Sequence, residues 1–107
     1  MGKHRKFIKY YTIKYFDITI DVIESEYIGG KRIALQSIEH NSGAPYAVLT
    51  KDIPSYNKDY PNKRHIFLDC ATCPNIDKAL KEAGLIGECL GRIQAGSFTY
   101  PIHEYLG

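Results

Sequence analysis

Residues 10–23 (YYTIKYFDITIDVI) constrain this chain more than any other stretch. They are dense in β-branched and aromatic residues, and Ile18, Ile20 and Val22 alternate with Asp17, Thr19 and Asp21. A period of two sends successive side chains to opposite faces, so this region must be strand with one face buried. Residues 7–23 read as one long strand, or as two with a bulge near Phe16. Gly29-Gly30 supplies a turn, and Lys31 to Glu39 forms the next strand, with Ile33, Leu35 and Ser37 on one side. His40-Asn41-Ser42-Gly43 has turn chemistry and Tyr46 to Thr50 returns, so residues 31–51 read as a hairpin.

Downstream the pattern changes. Asp52 to Lys63 (DIPSYNKDYPNK) has two prolines and no periodicity and reads as a surface loop. His65 to Cys70 is a short apolar run, the mark of a buried strand. Thr72 or Cys73 is the expected cap of a short helix over about 74–84, with Pro74 in its first turn and an apolar stripe at Ile76, Ala79, Leu80 and Ala83. Gly84 ends it. Two more strands are expected at Ile86–Leu90 and Ser97–Tyr105, separated by Gly91 to Gly96, and Pro101 points to an edge strand or a strand start. The expected fold class is α+β: a mostly antiparallel sheet of about five to six strands with the one helix packed on it.

The 107 residues fit a single domain, 1–107, in which residues 1–9 form a basic N-terminal arm. An apolar fraction of 44% against 24% charged excludes global disorder. The formal net charge of +2 is too small to imply nucleic-acid binding by itself, but its distribution is uneven. Lys3, Arg5, Lys6, Lys9 and Lys14 precede an acidic stretch of Asp17, Asp21, Glu24 and Glu26. That order either steers a partner or pairs across two solvated strands. No segment has the length of a membrane span, and Lys9 and Lys14 interrupt any signal-like apolar region. Three cysteines argue against a disulfide scaffold, so the expected setting is the cytoplasm of a host cell, with reduced thiols.

No catalytic constellation can be assembled from the residues. The chain has no H-E-x-x-H, G-x-S-x-G or phosphate-binding glycine loop, and Asp69 with Glu104 has only residue type to recommend it as an acid–base pair. The reading is therefore not an enzyme and no cofactor. Cys70-Ala71-Thr72-Cys73 is a C-x-x-C before a helix, but the hairpins ahead of it do not supply a thioredoxin-like context. A zinc site would have to combine Cys70, Cys73 and Cys89 with His65 or His103. Structural cysteines are the simpler reading. The tyrosine content of nine points either to half-buried strands or to an interface. The partner-binding candidates are the loop residues Lys51, Tyr56, Lys58, Tyr60, Lys63 and Arg64 together with Lys3, Arg5 and Lys6. Cations interleaved with aromatics hold phosphates and stack on bases, or anchor a protein. An ordinary polar loop remains the alternative.

From residue 45 onward the chain resembles a family of small uncharacterised proteins of bacterial plasmids, conjugative elements and prophages. The shared positions are Leu49-Thr50, Phe67, Asp69, Pro74, Leu80, Gly84-Leu85, Gly91, Gly96, Phe98, Tyr100 and Pro101. The chain departs from the pattern at Asp52, at Ala71-Thr72 and in the order Gly96-Ser97. The resemblance implies a mobile-element accessory protein, most specifically an anti-CRISPR inhibitor. Such a protein binds a Cas9-type effector stoichiometrically and blocks nucleic-acid or guide-RNA engagement. The alternatives are an RNA or single-stranded DNA binder and a small zinc-stabilised interaction module.

Overall fold

The computed structural model describes residues 9–27 and 32–107. The Gly29-Gly30 turn and all of the basic arm except Lys9 lie outside these residues, and Lys3, Arg5 and Lys6 with them.

Strands β1 (Tyr10–Tyr15) and β2 (Ile18–Glu26) pair antiparallel from Tyr10↔Ile23 to Tyr15↔Ile18. The expected long or bulged strand is therefore a tight hairpin. The chain reverses at Phe16-Asp17 with no glycine, and Phe16 itself takes the left-handed conformation at φ 55°. Basic β1 thus lies beside acidic β2, and Lys9 approaches Glu24 at 3.7 Å. β3 (Ile33–Glu39) and β4 (Pro45–Val48) complete a four-stranded meander in the order β1-β2-β3-β4. A register shift beside Ser37 and Ile38 leaves Tyr46 as an extra residue in β4.

The second sheet has the order β5-β7-β6, built from β5 (His65–Phe67), β6 (Ile86–Ala95) and β7 (Phe98–Tyr105). The expected break from Gly91 to Gly96 is instead continuous strand. β6 absorbs two register shifts around Cys89, and only Gly96-Ser97 turns, with Gly96 at φ 63°. Pro101 also departs from expectation, because β7 is the central strand. The Pro101 carbonyl accepts from the Leu68 N–H at 3.0 Å. Its nitrogen faces that same side, so the missing N–H forgoes only the reciprocal bond to Leu68, just past the end of β5, and none to β6.

Helix α1 (Ile76–Glu82) lies between β5 and β6 in the chain. Its cap is Asn75, left-handed at φ 64°, rather than Thr72 or Cys73. Thr72 serves a turn before the helix, donating from its N–H and hydroxyl to the Asp69 carboxylate at 3.1 and 3.0 Å. At the other end Gly84 (φ 77°) lets its own N–H reach the Lys81 carbonyl and the Leu85 N–H reach that of Leu80. This is the glycine stop that the sequence announces.

Among the described residues the protein is thus a small α+β fold of seven antiparallel strands in two sheets with one helix. An isolated Thr50↔Leu68 bridge joins the sheets, flanked by Lys51 N–H to the Phe67 carbonyl and Asp69 N–H to the Leu49 carbonyl, each 2.9 Å. β5 is buried on both sides. Ile66 and Leu68 enter the main core with Ile20, Leu35, Ile76, Leu80 and Tyr105, while Phe67 enters a second core with Ile53, Ile93, Tyr100 and Ile102. Full burial of a side chain such as Phe67 contributes about 2–3 kcal/mol.

Candidate functional site at the first hairpin

The loop of residues 52–64 contains one 3-10 turn, Pro54–Tyr56, and is held from beneath by Arg32. The Arg32 guanidinium, only 2% exposed, lies 4.3 Å over the Phe67 ring. It donates to the carbonyls of Tyr60 (2.6 Å), His65 (2.6 Å) and Asn62 (3.2 Å) and to Asn57 Oδ1 (3.0 Å). Those acceptors offset the desolvation that draws its pKa down. Tyr56 and Tyr60 are half-buried and meet Phe67 edge-on, with centroids 6.5 and 5.9 Å away. The Tyr56 hydroxyl donates to the Gln94 carbonyl at 3.1 Å. Arg64 donates to the Tyr105 carbonyl at 3.0 Å and lies 5.1 Å over that ring. Among the loop candidates, Tyr56, Tyr60 and Arg64 therefore work within the scaffold, whereas Lys51, Lys58 and Lys63 are exposed.

The cysteines separate. Cys73 is buried in the main core, Cys70 packs against it half-buried, and Cys89 is exposed on β6. Among the described residues no three His, Cys, Asp or Glu side chains converge as a metal site. Burial pushes the Cys70 thiol up to about 11 and raises Cys73 as well, the reverse of an activated thiolate. Asp69 is engaged with Thr72, and Glu104 stands opposite His65 on exposed strand.

The hairpin turn has a different character. Phe16 is 67% exposed, and its ring lies 4.8 Å from that of Tyr15. The 43%-exposed Tyr46 also meets Tyr15, at 6.1 Å and edge-on. Tyr15 itself is buried and donates to the Pro74 carbonyl at 2.8 Å, which locks the cluster to the approach of α1. Burial, first of several causes, pushes its hydroxyl pKa up to about 12, so it stays a donor. A groove of about 260 Å³ runs between this turn and α1, bordered by Lys14, Phe16, Asn75, Lys78 and Glu82. Phe16 and Asn75 are the non-glycine residues with positive φ among those described, and both border this groove. For a bulky L-residue the left-handed region costs about 1–2 kcal/mol, and such strain concentrates at sites of function. Asparagine tolerates it more readily.

Beside this site, the outer face of the four-stranded sheet is uncovered by the helix. Tyr10, Ile23 and Ile38 form a shallow apolar depression around Asp21, whose carboxylate accepts from Thr12 (2.6 Å) and contacts His40 Nδ1 (3.0 Å). The Thr12 hydrogen bond, and then His40, hold the Asp21 pKa below the usual carboxylate range.

Neither Arg32 nor the Phe16 cluster is visible in the sequence as a site. The available signal was the spacing of core residues: Ile13 and Tyr15 are odd, Ile20 and Val22 even, and that switch of parity requires a turn or a bulge between them. No protein-family model, no curated protein and no solved structure matches the chain. Among the described residues no helix is long and apolar enough to cross a membrane.

Proposed function

We propose that this protein acts non-enzymatically, by stoichiometric binding to a macromolecular partner, with the aromatic tip of the first hairpin as its anchor. The carrying observation is Phe16: a large apolar ring, two-thirds exposed, in a backbone conformation that glycine would adopt without strain. Folding alone gives no reason to hold an exposed phenylalanine there. Its ring lies against that of buried Tyr15, which in turn meets Tyr46, and a ring held by a neighbour loses less side-chain freedom on docking. Rigid exposed aromatics are the residues that dominate binding energy at protein interfaces.

The most specific target comes from the resemblance to mobile-element proteins: a Cas9-type CRISPR effector, blocked in its engagement of DNA or guide RNA. The test is calorimetry of the purified protein with a purified effector, with and without guide RNA. The expected result is a one-to-one complex burying at least about 1,000 Å². Truncating Phe16 and Tyr46 to alanine is expected to weaken it at least about thirtyfold. Absence of a complex removes that target, and equal affinity of wild type and the double variant removes the hairpin tip.

One observation favours a second reading, binding of RNA or single-stranded DNA. Lys14 and Lys78 border the Phe16 groove, and neither is in an ion pair among the described residues. A ring between two cations stacks a base and holds its phosphates. That reading requires affinity that falls linearly with salt on logarithmic axes.

A further inference from the structure

On β7, His103 is 4% exposed and its Nδ1 lies 2.8 Å from the Gly87 carbonyl. A carbonyl only accepts, so Nδ1 carries the proton and neutral Nε2 carries a lone pair. Nε2 is buried without a partner. An unmet buried acceptor is destabilising, which asks for a function. The cross-strand partner of His103 is Cys89, where β6 shifts register on both sides. Bulges of this kind re-aim side chains, and they recur next to reactive sites. Cys89 is exposed, and its thiol donates to the Gly91 carbonyl at 3.3 Å.

Both residues line a groove of about 200 Å³ between α1 and the second sheet. Its cations are Lys78, Lys81 and Arg92, and its carboxylates are Asp77 and Glu88. Glu88 is taken by Lys81 at 2.8 Å, and the charge of Asp77 acts on the Cys70 thiol. Lys78 and Arg92 are left without an ion pair among the described residues, which gives the groove a positive rim beside the thiol.

We infer that Cys89 is a thiol–disulfide exchange site for small anionic disulfides, with His103 Nε2 receiving the thiol proton. The Cys89 S–H bond breaks and its proton passes to Nε2. The thiolate then attacks one sulfur of the disulfide, forming a Cys89–S–S–R bond as the R–S–S–R bond breaks. The departing thiolate takes the proton back from the imidazolium and leaves as a thiol, while Lys78 and Arg92 pair with its carboxylates. One disulfide is consumed and one mixed disulfide made, so electrons and protons balance. Cys70 and Cys73 are internal controls, because burial withdraws both from exchange.

The test treats the folded protein, at low salt, with glutathione disulfide or with cationic cystamine, and locates adducts by intact and peptide mass. The expected result is a single adduct at Cys89, formed at least about fivefold faster with glutathione disulfide than with cystamine. His103→Asn keeps an N–H for Gly87 but removes the Nε2 acceptor, and is expected to slow the reaction at least about tenfold. First adducts at Cys70 or Cys73, or equal rates for the two disulfides, overturn the proposal on unaltered protein, whether or not the variant folds. An unchanged rate in a folded His103→Asn variant overturns the role of the imidazole.

Discussion

Two aromatic clusters divide the labour of this small protein. In the loop after β4, Tyr56 and Tyr60 pack edge-on with Phe67, and the polar groups around them close on Arg32. At the first hairpin, Phe16 and Tyr46 both meet Tyr15 but stay exposed, Phe16 over most of its surface. The first cluster lies in a stretch whose composition advertises binding and is spent on structure. The second lies in a stretch that reads as plain strand, and it is the one left open. Residue type marks a candidate interface, but only packing tells whether its surface is still available.

The largest effect should come from the closed cluster. Arg32→Met removes four hydrogen bonds and takes their side-chain donor from the carbonyls of Tyr60 and His65, while that of Asn62 keeps the His65 N–H. A loss of about 3 kcal/mol or more is expected, a fall in Tm of more than about 10 °C by calorimetry. A Tm within about 2 °C of wild type would show that the loop is not organised from beneath. The open cluster should behave in the opposite sense. Phe16→Gly relieves a left-handed phenylalanine and is expected to raise stability by up to about 1 kcal/mol in denaturant titration, while abolishing partner binding. If it destabilises the fold instead, the ring is structural and the contrast fails. Tyr15→Phe deletes only the hydroxyl that reaches Pro74, at an expected cost of about 1 kcal/mol, which acid and base titration should leave unchanged between about pH 5 and 9.

The smallest effect concerns pH. The Asp21 carboxyl is depressed in the native state by Thr12 and then by His40, so the folded form resists protonation that the unfolded chain accepts near the ordinary pKa of about 3.9. Its contribution is complete above that value and is lost as pH falls through the lower folded pKa. Thr12→Val should therefore lower stability at pH 7, with the difference from wild type closing as pH falls below about 4.

Much of the architecture was legible. The β3–β4 hairpin, the buried run at His65–Cys70, the apolar stripe of α1 and its stop at Gly84 follow from periodicity and from glycine. The misreadings share a cause: at Phe16, Gly91 and Pro101 tertiary context overrides local chemistry. A hairpin turned without glycine, a glycine carried through a bulge, and a proline sat mid-sheet beside a neighbour that stops short. The candidate site was less legible because exposure is a property of the assembled surface. The family-like motif illustrates this: Leu49, Phe67, Leu80, Leu85 and Tyr100 are all buried, so the shared positions describe a scaffold more than a binding face.

The two sheets do not interleave: one is built from residues 10–48 and the other from 65–105, joined through Thr50 and Leu68. Each half of the chain can therefore zip most of its own ladders before meeting the other. Within the second half β5 pairs last, since it waits for β7 from the far end of the chain. The 52–64 segment is thus the natural place to cut the polypeptide in two. Separately expressed halves that find each other there would turn this protein into a reporter of its own assembly.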